Sequence, residues 1–355
     1  MERNNHRIID VQNPAYRSAQ KIIMKKAKIA GIGFNVPDNV VTNHDLEKMM
    51  DTTDEWIRTR SGIEERRWVK PGTANSDLAI PACKRAIKNA KINPDEIDAI
   101  IVGTVSSDFN FPGMAPIIQQ KLGISKHVPA YDISAACSAF IYLLEIGDQY
   151  IKSGKYKNIL LVGSDVMSTI IERTPEGRAT GVLFGDGAGA VILQESNDDS
   201  YILSTHLFAD GKGVEHLGAK APGSFFNPLR IDEQIVADRH HLPTQNGREV
   251  FKNAVKRMPE AINFALEKNN LSINDIKLVV AHQANKRILE ACAQRMNLPS
   301  EKMFMNIQKY GNTTAATIPI AMCEALEQGL FSKGDIIMLT AFGAGYTWAS
   351  AAIRW

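Results

Sequence analysis

The chain has 355 residues, with 41 Lys+Arg against 39 Asp+Glu and a formal net charge of +2. Hydrophobic residues make up 44% and charged residues 23%, which excludes a disordered chain, and the near-neutral balance excludes a protein built around a strong basic field for nucleic acid. No run of 18 apolar residues occurs, so no membrane-spanning helix is expected, and the length suggests two domains or two related halves.

In chain order, residues 1–24 read as a polar extension without the apolar stretch of a secretory signal. Met24 is either the true start or the end of an ordered arm. A first strand is expected over Lys25–Phe34. Buried strands follow over Ile97–Val105, Asn158–Gly163, Ile276–Ala281 and Asp335–Ala341, because continuous Val/Ile/Leu runs signal strands covered on both faces. Helical spacing covers Ser76–Ala90, Ser138–Lys152, Glu249–Asn269 and Ala284–Met296. The alternation predicts an α/β fold with a mostly parallel core sheet.

An internal repeat is visible. AIKNAKINPDEIDAIIVGT begins at Ala86 and ALEKNNLSINDIKLVVAHQ at Ala265; their paired alanines and paired isoleucines (Ile97, Ile276) lie 179 residues apart. SGKYKNILLVG and FSKGDIIMLTA repeat at about the same interval. Duplicated halves divide the chain at about residue 200, into 25–200 and 201–355, and bring two sets of strand ends to a pseudo-twofold axis where a site fits.

In YDISAACSAF, Cys137 opens a long helix after a strand that ends near Ile133. A helix N-terminus offers partial positive charge and unpaired N–H groups, which stabilise a thiolate. The competing reading is a buried structural cysteine. The four cysteines (Cys83, Cys137, Cys292 and Cys323) are far apart and form no CxxC pair, which speaks against zinc and disulfides and for a reducing cytoplasm. His282 follows a buried strand directly, unlike the other seven histidines, and Asn312 sits in a glycine turn before a helix with Pro319 in its first turn. Asn312 could equally be a left-handed turn residue. FGDGAGAVIL (184–193) and AFGAGYTW (341–348) read as glycine-rich turns that do not match a phosphate-cradling loop.

Together DTTDEWIRTRSGIEERR (51–67), the AAC segment at 135–137, FGDGAGA, HQAN and YGNT resemble the thiolase superfamily, and closely the beta-ketoacyl-acyl-carrier-protein synthase III family. The resemblance spans about Lys25 to Trp355. It implies two duplicated halves with mixed five-stranded sheets in α-β-α-β-α layers. It also implies a Cys137–His282–Asn312 triad, acyl transfer from a short acyl-CoA to Cys137, and decarboxylative condensation with malonyl-acyl-carrier protein. His282 Nε2–H and the Asn312 amide would donate to the enolate oxygen, while the backbone N–H groups of Cys137 and Ala344 would form the oxyanion hole. No metal or organic cofactor is implied.

The resemblance further places the coenzyme A adenine between Trp56 and Arg178, with Arg60 near the phosphates and Asn285 and Gly247 along the pantetheine tunnel. Phe111 is implied as a gate reaching into the partner's acyl pocket in a homodimer. Without the resemblance, Trp56 could be core and the arginines surface ion pairs. An acidic carrier protein calls for a basic face, and Lys252, Lys256, Arg257, Lys286, Arg287 and Arg295 supply one, or else form an ordinary solvated surface. The absence of Glu between Ile97 and Ala136 counts against synthases of the hydroxymethylglutaryl-CoA type. The extension and a long 212–246 segment depart from the family pattern and leave the primer open. An acyltransferase or condensing enzyme of secondary metabolism and a Cys–His hydrolase are the competing functions.

Overall fold

The computed structural model describes residues 25–355; the expectations for residues 1–24 lie outside them. The elements that position the site are, in chain order, β1 (Ala27–Asn35), α1 (Asp54–Ser61), α2 (Asn75–Ala90), β2 (Ala99–Gly103), α3 (Met114–Leu122), β3 (Ala130–Ile133), α4 (Ala139–Lys152), β4 (Asn158–Asp165) and β5 (Gly187–Glu195). There follow β6 (Tyr201–Ala209), α5 (Gly247–Lys268), β7 (Ile276–Ala281), α6 (Lys286–Arg295), α7 (Thr317–Glu327), β8 (Ile336–Gly343) and β9 (Thr347–Arg354).

The first sheet runs β1-β5-β4-β2-β3 and the second β6-β9-β8-β7. In each, the strands at one end are parallel and the others antiparallel: β2 pairs parallel with β3 and β4, β7 with β8, and β5 and β9 run against their neighbours. Both sheets are therefore mixed rather than mostly parallel. The repeat accounts for the likeness, since β1, β5, β4 and β2 correspond in order to β6, β9, β8 and β7. Among the described residues the second sheet has four strands rather than the expected five. One parallel bridge, Val279 to Met303, stands where β3 stands in the first sheet.

Period-2 side-chain alternation explains the layers. Ile101, Leu161 and Val191 of the first sheet meet Leu278, Val280, Ile337 and Leu339 of the second through α4 and α7, which lie between the sheets. The opposite faces carry Ile100, Leu160 and Ile192 beneath α2 and α3, and Val279, Ala281 and Met338 beneath α5 and α6. This gives five α-β-α-β-α layers. Helix α7 is buried from Thr317 to Ala325, as a helix between two sheets must be.

Two glycine-rich stretches are strand rather than turn. Gly187 begins β5, and a Cβ on Gly189 would come within 2.5 Å of Pro319 in α7, so its glycines serve close helix–strand packing. Ala341–Gly343 continue β8, leaving only Ala344–Tyr346 as the turn. Strand β6, half-buried and with the polar run Ser204–His206 interrupting its apolar residues, was not read from the sequence.

Candidate active site

Cys137 lies just after β3, in a 3₁₀ turn (Ala136–Ser138) that precedes α4 rather than in the helix itself. Ala136 is left-handed, at φ 44°, so the nucleophile candidate sits on a strained bend. Ser138 ties this bend to the other half by donating to the Thr347 carbonyl at 3.0 Å. Gly343 closes the contact: a Cβ there would meet the Cys137 nitrogen at 3.0 Å. Surrounding protein pushes the thiol up to about 12, with the Asp165 carboxylate adding to the effect, although the cavity leaves part of the residue accessible. Burial and the Asp165 carboxylate thus oppose the thiolate that the N–H groups at the helix end would favour.

His282 follows β7, and its backbone N–H extends the β7–β8 pairing to the Thr340 carbonyl at 2.8 Å. It is 1% exposed, and burial pushes the imidazole down to about 3, so it is neutral at physiological pH. Its Nδ1 lies 2.7 Å from Thr317 Oγ1. Asn312 is held by the Leu183 carbonyl at 2.8 Å, and its Oδ1 accepts from the Thr314 N–H at 2.9 Å. That bond fixes the amide, leaving the Nδ2 hydrogens for another acceptor. The left-handed positions in this turn are Gly311 and Thr314, not Asn312.

Cys137, His282 and Asn312 line one cavity of about 130 Å³, together with Gly247, Asn285 and Phe342. The turn that carries Asn312 is tied to the first half through Asp165 at the end of β4. This fully buried carboxylate accepts from Thr104, Ser106 and the Val105 N–H of one half, and from Thr314 and the Ala315 N–H of the other. Burial raises its pKa. Asp165 and Thr317 escaped the sequence reading; the only signals were an acid ending a buried strand and the hydroxyl-rich run TTAAT.

A family model for 3-oxoacyl-[acyl-carrier-protein] synthase III matches residues 131–211, and its C-terminal counterpart matches residues 266–355. A beta-ketoacyl-[acyl-carrier-protein] synthase III of Caldanaerobacter subterraneus is 46% identical over 93% of this chain and 98% of its own. The chain belongs to the beta-ketoacyl-acyl-carrier-protein synthase III family. The crystal structure of the Aquifex aeolicus 3-oxoacyl-[acyl-carrier-protein] synthase III superposes with a TM-score of 0.84 at 45% identity, covering 93% of this chain and all of that one. A priming beta-ketosynthase of the R1128 polyketide pathway superposes equally well (0.84) at 29% identity, over 93% and 96% of the two chains.

Other candidates of this synthase-family chain are more dispersed. Ala344 lines a neighbouring open cleft of about 530 Å³ with Ala135, Ala136, Val105 and Phe225, while Gly343 is the residue pressed on Cys137. The Arg178 guanidinium sits 5.2 Å over the Trp56 ring and donates to the Asp51 carbonyl. Trp56 is half-buried against the cluster containing Ile57, so it has a packing role as well. Arg60 is exposed, and its carbonyl accepts from Asn285 Nδ2 at 2.9 Å. The Asn285 Oδ1 accepts from the Arg287 N–H to cap α6, so this amide is already engaged on both sides at the cavity wall.

Phe111 is 81% exposed beside Phe109, just before α3. Lys252 and Lys256 are exposed on α5, and Lys286, Arg287 and Arg295 on α6. Arg257 differs: it stacks 4.9 Å from the Trp348 ring and pairs with Glu260 at 3.0 Å. Its charge is partly spent inside the protein.

Proposed function

We propose that this enzyme primes chain synthesis by joining a short acyl-CoA to a malonyl group carried on acyl-carrier protein, with Cys137 as nucleophile. The observation that carries the reading is one cavity lined by Cys137, His282 and Asn312. Cys137 sulfur loses its proton and attacks the thioester carbonyl, and the tetrahedral adduct collapses to the acyl-enzyme as coenzyme A leaves with that proton. The malonyl thioester then loses CO2, and the negative charge grows on its carbonyl oxygen. Asn312 Nδ2–H donates to that oxygen, acting where charge develops, with the neutral His282 ring beside it in the cavity. The carbanion attacks the acyl-Cys carbonyl, the backbone N–H groups of Cys137 and Ala344 hold the resulting oxyanion, and its collapse breaks the carbon–sulfur bond, freeing Cys137 and leaving 3-oxoacyl-carrier protein. Each donor is worth about 3 kcal/mol to the transition state.

Further parts of the reading rest on position. Adenine between Trp56 and Arg178 needs two stacking contacts, about 7 Å in all, so Arg178 swings outward by roughly 2 Å from its present seat over the indole. The 530 Å³ cleft beside Ala135 and Ala136 receives the primer chain, with Phe225 of the 212–246 segment as a wall. Phe111 enters this cleft from a second subunit of a homodimer, and the basic faces of α5 and α6 receive the carrier.

Mass spectrometry of the intact protein after exposure to a panel of acyl-CoAs tests the reading. One acyl adduct is expected on Cys137, absent in Cys137→Ser, followed by CO2 release when malonyl-carrier is added. Asn312→Ala should keep acylation but lose decarboxylation by about 10²-fold; equal losses in both steps would refute the enolate assignment. The likeness to a priming ketosynthase of a polyketide pathway favours a second reading, in which the same chemistry starts a secondary metabolite. Preference for an unusual primer in the panel would select it. Rapid loss of the adduct to water without carrier would point to a hydrolase.

A further inference from the structure

Thr317 Oγ1 has two close polar neighbours in the dry interior behind the cavity, His282 Nδ1 at 2.7 Å and the Thr314 carbonyl oxygen at 3.0 Å. A hydroxyl has one proton to give. The contact to the carbonyl needs that proton, because otherwise two lone-pair-bearing oxygens face each other at 3.0 Å at a site where Thr317 is only 2% exposed. The contact to the ring is satisfied either way, since Nδ1 can itself carry a hydrogen. The arrangement that leaves no opposed lone pairs has Thr317 donating to Thr314 and accepting from His282 Nδ1–H.

Thr314 cannot readily turn its carbonyl away. Its hydroxyl donates to the buried Asp165 carboxylate, and the same carbonyl also accepts the Thr317 N–H at the start of α7. The acceptor that takes the Thr317 proton is thus pinned from the other half of the molecule. His282 is itself too buried to be charged at rest.

We propose that Thr317 is a positioning residue that locks neutral His282 as the Nδ1–H tautomer, so that Nε2 presents a lone pair to the cavity. This rests on the reading of Cys137 as the nucleophile and gives His282 the proton-accepting role in acylation. The Cys137 S–H bond breaks as its sulfur bonds to the thioester carbon, and the proton passes to His282 Nε2. The carbon–sulfur bond to coenzyme A then breaks, and the departing thiolate takes the proton from Nε2, returning the imidazole to its starting tautomer. A neutral Nε2–H donor, the form expected from sequence, is not the resting state. Asn312 is then the neutral side-chain donor waiting for the enolate.

Nitrogen NMR of the histidine-labelled resting enzyme tests the tautomer without any substrate, with His282→Gln identifying the signal. The expected spectrum shows Nδ1 protonated and Nε2 bare. Thr317→Val keeps shape and branching but removes the hydroxyl; it should shift His282 toward a mixture of tautomers and slow acylation by about 10²-fold, the scale of a misplaced general base. Thr317→Ser should restore both. A wild-type ring protonated at Nε2, or an unchanged ring signal in a folded Thr317→Val, overturns the assignment. Should Cys137 take no acyl group from any acyl-CoA while the ring signal is as expected, the functional reading falls and the tautomer assignment stands.

Discussion

A residue's chemistry here is set by what surrounds it more than by its type. Cys137 was legible as the nucleophile candidate from the small-residue turn that precedes a helix. Its high resting pKa was not, because that follows from burial and from Asp165, which lies 28 residues further along the chain. His282 shows the same limit: its place after a buried strand was readable, but its partner Thr317 arrives through a fold-level contact. Burial of His282 also links stability to pH. The unfolded chain binds a proton at this side chain below its ordinary value of 6.5, and the folded one does so only near 3. Folding stability from this group is therefore complete above pH 6.5 and falls as pH drops toward 3, by up to about 1.4 kcal/mol per unit. In denaturant titrations between pH 7 and pH 5, His282→Gln should lose less stability than the wild type; parallel losses would refute the coupling.

At the scale of elements, the long apolar strands and the helices α2, α4, α5 and α6 were readable because period and composition agree there, whereas α1 and α3 were not read. The terminal strands β5 and β6 were not. The glycines of FGDGAGA suggest a turn until α7 is seen lying against them, and half-buried β6 shows no clean alternation. The fifth strand of the second sheet failed to form beyond the Met303 bridge, which no local pattern announces. Strand β4 meets the turn bearing Asn312 at Gly163, where a Cβ would lie 2.4 Å from the Ala315 carbonyl oxygen. Gly163→Ala should cost about 1–3 kcal/mol by overpacking and also reduce activity, since the displaced turn carries Asn312. Gly218→Ala, where nothing lies within 4 Å, should stay within about 0.5 kcal/mol of the wild type. Thermal denaturation of both variants checks the contrast.

For the whole molecule, the duplication explains why one site draws residues from both ends of the chain: each repeat delivers a strand end to the same axis. The sequence interval of 179 residues made that legible, whereas the surfaces meeting other proteins stayed ambiguous, since exposed lysines look alike wherever they lie. Lys256→Glu should raise KM for the malonyl-carrier by about 10-fold at low salt, leave kcat and the acyl-CoA KM unchanged, and lose its effect at high ionic strength. An effect indifferent to salt would remove α5 from the docking face. The amide of Asn285 adds a mechanical coupling, because it fastens the Arg60 carbonyl on the helix that also bears Trp56. Since Asn285 also lines the cavity that holds Cys137, a single amide fastens the wall around the sulfur to the helix that carries the indole.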